Sequence, residues 1–202
     1  MVRQLLVRRE GTFSKNPIFV ETGSGLSTIA LAEVGRKLDA RIYSCDVNQE
    51  KMNDLKKCAG EQVVNVIFLI GDSVDSLHKI VLEHRRIDFV FLDSAPSAIH
   101  TFREFQTIEQ CLKAGSSLLI DNAALPQSRL RLSPCRKGKI IVPYLLASPY
   151  WEIEAHPNAG GSMISALYHD EPKYADPSYE CFDYIDPWRS HFSKHANMRI
   201  SG

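Results

Sequence analysis

Acidic residues stand at the carboxyl end of five successive apolar segments of this sequence. They are Glu21, Asp46, Asp72, Asp93 and Asp121, the last followed directly by Asn122. If these segments are parallel strands of one sheet, their carboxyl ends meet at one edge and the side chains converge there. Carboxylate and amide oxygens at such an edge can accept hydrogen bonds from the hydroxyl groups of a ligand or hold a cation.

The first of these segments leads into a glycine-rich turn at residues 19–28, with the sequence FVETGSGLST. Gly23 permits a sharp turn, and Gly25 permits a ligand to approach bare backbone. The helix that follows offers free N–H groups to an anionic or polar ligand. A dinucleotide site would place a third glycine where Thr28 stands, so the turn predicts a nucleotide-like cofactor and argues against a nicotinamide.

Hydrophobic periodicity predicts an α/β chain around this turn. The expected strands are 17–21, 41–46, 63–70, 87–92 and 117–120, and the expected helices are 27–38, 48–59, 73–84 and 97–113. This alternation builds a parallel sheet with right-handed crossovers. Segments 151–156 and 162–169, joined by a glycine-rich turn, predict an antiparallel hairpin. The expected fold is a doubly wound Rossmann-like sheet of about seven strands, five of them parallel plus a C-terminal antiparallel hairpin, with helices on both faces.

A single domain is expected over residues 1–170, because 202 residues are enough for one α/β domain with a sizeable core. Residues 171–202 are rich in proline, aromatic and charged residues and predict a C-terminal arm or lid. Such an arm could close over the site or form the contact of a homodimer.

Composition excludes several classes of protein. Hydrophobic residues make up 44% of the chain and charged residues 24%, which is typical of a soluble globular protein. No apolar run approaches the ~20 residues of a membrane span. The formal net charge of +0 gives no global footprint for nucleic acid. One basic stretch, 129–139, is either a solvated loop or a contact for an anionic ligand.

The five cysteines include no Cys-x-x-Cys pair, and their number is odd. Cys45 and Cys111 lie within apolar patterns, as small core residues do. The simplest interpretation is a reducing, cytoplasmic compartment.

The residues of the turn and of the strand ends resemble those of the class I S-adenosylmethionine-dependent methyltransferases, and among them the catechol-type O-methyltransferases. The resemblance is close over residues 17–124 and loose over the hairpin. It implies an enzyme that transfers a methyl group from S-adenosylmethionine to a small hydroxylated molecule, with no nucleic-acid or membrane partner.

The resemblance also implies a set of cofactor-binding residues. Those that hold the methionine part would be Glu21, Thr22, Gly23, Ser24, Gly25, Ser27 and Thr28. Asp46, followed by Val47, would accept hydrogen bonds from both ribose hydroxyls, because a carboxylate suits a vicinal diol. Asp72 and Ser73 would lie beside the adenine, and Asp93 would complete the cofactor site.

A metal site is implied as well. In the catechol-type branch, residues matching Asp93, Asp121 and Asn122 bind a divalent ion, and these hard oxygen ligands suit Mg²⁺ or another divalent cation. Such an ion would lower the pKa of the acceptor hydroxyl. The expected catalytic residues are Asp93 and His100.

The chain departs from the catechol-type pattern in two places. Pro96 stands where those enzymes carry a lysine base, so either a metal-bound hydroxyl needs no strong base or His100 serves as the base. Only about sixteen residues precede the first strand, fewer than the usual helical cap needs, so the substrate pocket is expected to be open or completed by the arm or by a second subunit.

Two other functions stay open on the sequence alone. An NAD-dependent oxidoreductase would share the glycine turn and the acid after the second strand, but Thr28 and the lack of a Tyr-x-x-x-Lys pair count against it. A non-catalytic cofactor-binding protein would keep the sheet and lose the chemistry, which Pro96 would permit.

Overall fold

The structure is a computed structural model that describes residues 1–124, 134–158 and 161–172. Seven strands form one sheet in the order β3-β2-β1-β4-β5-β7-β6. Their bounds are Ile18–Thr22 (β1), Arg41–Asp46 (β2), Val66–Ile70 (β3), Ile87–Leu92 (β4), Leu112–Ala124 (β5), Trp151–Asn158 (β6) and Gly161–Tyr168 (β7). The order reverses between β1 and β4, and ligands of doubly wound sheets bind at such a switch point.

The pairing of the strands confirms the predicted sheet. β1 to β5 pair in parallel. β7 is antiparallel to β5 and to β6, so the two last strands form the expected hairpin. The parallel strands are rich in β-branched and aromatic residues, as strands covered on both faces are.

Helices cover both faces, as predicted. Their bounds are Val2–Arg9 (α1), Leu26–Leu38 (α2), Gln49–Ala59 (α3), Ser73–Glu83 (α4), Ala98–Ile108 (α5) and Gly138–Ala147 (α6). Short 3₁₀ turns follow three of them, at Glu10–Thr12, Gly60–Val63 and Glu109–Cys111. The side chain of Asn48 caps the N-terminus of α3 by accepting a hydrogen bond from the backbone N–H of Lys51 at 2.9 Å.

The sheet separates two hydrophobic clusters, because side chains alternate between the faces of a strand. Phe19 and Phe89 join the cluster under α1 and α2. Val20 and Val90 join the larger cluster, which includes residues of α4, α5 and α6. These buried layers fix the strand ends, and hence the polar side chains that follow them.

Several predicted boundaries differ from the observed ones. The helix expected over 97–113 ends at Ile108, and β5 begins at Leu112, which pairs with Ile87 of β4. Leu112 is apolar and fits a helix and a strand equally well in the sequence. Its pairing with Ile87 shows that it belongs to the strand. The third strand is also shorter than expected, since Gly60–Val63 is a 3₁₀ turn.

Two helices have no counterpart among the sequence expectations. α1 buries Val2, Leu5 and Leu6, and α6 contains Pro143, a residue that usually argues against a helix interior. Within the described ranges, no helix has the length and apolar character needed to cross a membrane. Nearly all of the predicted arm, residues 173–202, lies outside the described residues.

Candidate active site

A cavity of about 270 Å³ lies at the carboxyl edge of the sheet, around the switch point. It is lined by Gly23, Cys45, Asp46, Val47, Lys51, Gly71, Asp72, Ser73, Asp93, Ser94, Ala95 and His100. Seven of these residues were predicted to bind the cofactor or to act in catalysis. The structure therefore brings the ends of β1, β2, β3 and β4 together at one cavity, as the strand-end acids indicated.

The glycine turn at the end of β1 is fixed against β2 and β4. Gly23 has a φ of 91°, a value that L side chains rarely adopt, and its N–H donates to the carbonyl oxygen of Cys45 at 2.7 Å. A Cβ at Gly23 would lie 2.4 Å from the carbonyl oxygen of Asp93. At Gly25 a Cβ would meet nothing within 4 Å, so that backbone is open to a ligand.

Glu21 is fully buried behind the turn and holds it together. Its carboxylate accepts hydrogen bonds from the hydroxyl groups of Ser27 at 2.7 Å, Ser44 at 2.8 Å and Thr28. Burial raises the pKa of Glu21 to about 7, although the three hydroxyl donors favour the ionised form. Glu21 does not line the cavity, so its observed contacts assign it to shaping the turn.

Asp46 lines the cavity at the end of β2 and is already well supplied with donors. Oδ2 accepts from the N–H of Ser24 at 3.0 Å and from Nζ of Lys51 at 2.8 Å, and Oδ1 accepts from the N–H of Asn48 at 2.9 Å. Burial by itself would raise the pKa of Asp46, but these donors, Lys51 first, lower it below its ordinary value. The donors therefore favour the ionised form of Asp46 at the cavity wall.

A polar network forms the opposite wall, between α4 and α5. The hydroxyl of Ser73 and Nε2 of His100 lie 2.8 Å apart. Glu104, which is fully buried, has Oε1 3.4 Å from the same nitrogen and accepts from the hydroxyl of Ser94 at 2.6 Å. Asp72, the residue before Ser73, caps α4 by accepting from the N–H of Val74 at 2.8 Å.

Asp93, at the end of β4, pairs with a lysine that sequence reasoning missed. Nζ of Lys137 donates to Oδ1 of Asp93 at 2.6 Å. Burial raises the pKa of Asp93 above its ordinary value, the nearby Asp121 carboxylate adds to the rise, and Lys137 opposes it. Lys137 belongs to the basic stretch 129–139, and the structure shows this member to be a partner of the site.

The predicted metal ligands are engaged with other side chains. Oδ1 of Asp93 accepts from Lys137, Oδ1 of Asn122 accepts from Arg136 at 3.3 Å, and Oδ2 of Asp121 accepts from the amide of Asn122. Among residues 1–124, 134–158 and 161–172, no three His, Cys, Asp or Glu side chains form a group that could hold a metal ion. As arranged, these residues do not fit a divalent cation, because two cationic side chains already contact their oxygens.

The structure thus divides the predicted site residues into two sets. Those that line the cavity are Gly23, Asp46, Val47, Asp72, Ser73, Asp93 and His100. Those that support it or lie outside it are Glu21, Thr22, Ser24, Gly25, Ser27, Thr28, Asp121 and Asn122. Lys51 was missed, although its place in the first turn of the helix expected after Asp46 was a usable signal. Lys137 lies in the basic stretch 129–139, but nothing local to the sequence singled it out as the partner of Asp93.

Comparison with known proteins agrees with this geometry. The sequence model of the family described as "Methyltransferase domain" matches residues 20–123, which is just over half of the 202-residue chain and spans β1 to β5. The chain belongs to this methyltransferase family. The family predicted from the glycine turn and the strand-end acids is thereby confirmed. Among the curated proteins, no sequence matches this methyltransferase.

Solved structures of methyltransferases share the fold. The chain is similar to an O-methyltransferase from Bacillus cereus in complex with SAH, with a TM-score of 0.64, 18% identity, and coverage of 83% of this chain and 78% of that one. It is also similar to the O-methyltransferase TomG from Streptomyces achromogenes in complex with SAM, with a TM-score of 0.62, 18% identity and coverage of 83% and 78%. The SAH-bound Podospora anserina methyltransferase PaMTH1 gives a TM-score of 0.61, 18% identity and coverage of 84% and 76%.

Proposed function

We propose that this protein transfers a methyl group from S-adenosylmethionine to a hydroxyl oxygen of a small molecule. The observation that carries the proposal is the meeting of the Gly23 turn and the Asp46 carboxylate at one cavity. The family membership supports methyl transfer. The O-methyltransferases of the same fold that were solved with SAM or SAH support the cofactor and the oxygen acceptor.

The residues that would hold S-adenosylmethionine line the cavity from the turn to α4. The backbone at Gly23 and Gly25 receives the methionine part, and Asp46 accepts hydrogen bonds from the ribose hydroxyls. Ser73 and His100, which line the cavity beyond Asp46, would lie beside the adenine. This placement gives His100 a binding role, and its role as a base stays a prediction from the sequence.

Methyl transfer at this site is an in-line displacement. A lone pair of the acceptor oxygen forms a bond to the methyl carbon, and the carbon–sulfur bond breaks with its electron pair left on sulfur. The sulfonium becomes the neutral thioether of S-adenosylhomocysteine, and the hydroxyl proton passes to the Asp93 carboxylate. Positioning of the two reactants supplies most of the rate, so Asp93 and the turn must be held still.

The divalent cation implied by the sequence stays a prediction and takes no part in this proposed step. The oxygens of Asp93, Asp121 and Asn122 would be its ligands, and each of these residues is hydrogen-bonded to another side chain. A cytoplasmic location likewise stays a proposal. It is supported by the four described cysteines, Cys45, Cys58, Cys111 and Cys135, which are all free.

Calorimetric titration with S-adenosylhomocysteine, with NAD as the control ligand, tests the proposed cofactor. We expect saturable binding of S-adenosylhomocysteine and none of NAD. Asp46→Ala should weaken binding by about tenfold to a hundredfold, because charge-assisted hydrogen bonds are lost. Asp54→Ala, an exposed acid of α3, should leave the affinity unchanged. Binding of NAD in place of S-adenosylhomocysteine would contradict the proposal and favour the oxidoreductase.

A turnover assay distinguishes the proposed enzyme from the alternative of a non-catalytic cofactor-binding protein. The protein is incubated with S-adenosylmethionine and a panel of phenols, vicinal diphenols and aliphatic alcohols, and S-adenosylhomocysteine is measured. We expect an acceptor-dependent release, and Asp93→Asn should reduce it by about a hundredfold or more if Asp93 takes the proton. Unchanged turnover in Asp93→Asn would contradict its role.

A further inference from the structure

The ion pair between Lys137 and Asp93 is unusual in its burial. The Lys137 side chain is 4% exposed, whereas Asp93 is 36% exposed and lines the cavity. A buried ammonium needs an anionic partner, so each member constrains the other. The cation thus lies on the buried side of Asp93, and Asp93 itself lines the cavity.

The backbone before α6 delivers Lys137 to this place by close packing against β5. The N–H of Cys135 donates to the carbonyl oxygen of Ala123 at 3.0 Å, and the N–H of Gly138 donates to the carbonyl oxygen of Cys135 at 2.7 Å. A Cβ at Gly138 would lie 1.9 Å from the carbonyl oxygen of Ala123. Lys137 therefore reaches Asp93 from a tightly built turn, which only a glycine at 138 permits.

Charges at this end of the cavity are balanced within the described chain. Two carboxylates, Asp93 and Asp121, lie close enough to influence each other. Two cationic side chains donate hydrogen bonds to this group of residues: Lys137 to Asp93, and Arg136 to Asn122. A divalent ion would add two positive charges beside these cations or would have to expel a buried ammonium, and both are unfavourable.

We propose that Lys137 takes the charge-balancing place that a divalent cation would hold in this site. Lys137 is a positioning residue that fixes the Asp93 carboxylate at the cavity wall. Its charge also prevents Asp93, Asp121 and Asn122 from binding a divalent cation. Its value for methyl transfer rests on the proposed function, whereas the exclusion of the metal does not.

Titration of Mn²⁺ and Mg²⁺ into the purified full chain, followed by calorimetry, tests this inference. The wild-type protein should show no saturable binding at millimolar metal. Lys137→Met should gain a saturable Mn²⁺ site, tighter than any wild-type binding by about tenfold or more, since the competing charge is removed. Lys139→Met, which removes an exposed lysine two residues further on in α6, should behave as the wild type does. Adding Asp121→Asn to Lys137→Met should abolish the gained site.

Two further variants keep the test decisive should Lys137→Met fail to fold. Lys137→Gln keeps a hydrogen-bond donor for Asp93 but carries no charge, and it should also gain Mn²⁺ binding. Lys137→Arg keeps the charge and should not. The inference is overturned by saturable Mn²⁺ binding to the wild type, or by a folded Lys137→Gln that binds no metal. Titration of S-adenosylhomocysteine into the same preparations tests the proposed function separately.

Discussion

The turn side and the Asp93 side of the cavity are held by different kinds of contact. On the turn side, the buried Glu21 carboxylate is held by neutral hydroxyl groups, two of them only six and seven positions away in the chain. On the other side, Asp93 is held by a buried ammonium 44 positions away. The first arrangement leaves an acid whose pKa is raised to about 7, and the second leaves an ion pair. The two sides should therefore respond differently to mutation and to pH.

The largest expected effect is a loss of stability when Gly23, but not Gly25, of the turn is replaced by alanine. Gly23→Ala should lower the free energy of unfolding by roughly 2–4 kcal/mol, because the Cβ meets the Asp93 backbone at a positive φ. Gly25→Ala should leave stability nearly unchanged, since its Cβ meets nothing, but should weaken binding of S-adenosylhomocysteine. Urea unfolding and calorimetry of both variants measure this. Equal stability loss in the two would show that the turn is not held as described.

An intermediate effect concerns the pH dependence of stability. Because the pKa of Glu21 is raised to about 7 by burial, its contribution to the free energy of unfolding is full below its ordinary value of 4.5 and is lost as the pH rises through about 7. Glu21→Gln has no group that ionises at this position. Between about pH 5 and pH 8, the free energy of unfolding of the wild type should therefore fall relative to that of the variant by roughly 3 kcal/mol or less. Urea unfolding at both pH values measures the difference. Glu33→Gln, which removes an exposed acid, is the matched control. Parallel pH curves for Glu21→Gln and the wild type would contradict the raised pKa of Glu21.

The smallest expected effect lies at Lys51. Its side chain is 50% exposed, so its ion pair with Asp46 is worth little in water. Three of about four acceptor positions on Asp46 are occupied, and a ribose diol must displace Lys51 to gain two hydrogen bonds. Lys51→Met should therefore tighten S-adenosylhomocysteine binding by about twofold to fivefold. Lys57→Met is the matched control on α3; a large loss of affinity in Lys51→Met would mean that Lys51 itself binds the cofactor.

The contrast between contacts of short and of long separation in the chain also explains what the sequence could predict. The strands, the glycine turn and the strand-end acids follow from patterns spanning a few residues. The structure confirms the sheet and brings Asp46, Asp72 and Asp93 to one cavity, whereas Glu21 and Asp121 do not line it. The end of the helix at Ile108 could not be predicted, because Leu112 is apolar in either element and only its pairing with Ile87 makes it a strand. Lys137 could not be predicted because its position depends on how α6 packs against β5.

The measurement that addresses the cofactor site most directly is amide hydrogen exchange with and without S-adenosylhomocysteine. We expect the ligand to slow exchange in peptides covering 22–28, 46–51 and 71–74, each of which contains at least one cavity-lining residue, and to leave the hairpin segment 151–156 unchanged. Unaltered exchange at the turn and after β2, with the ligand shown to be bound, would contradict the placement of the cofactor at Gly23 and Asp46.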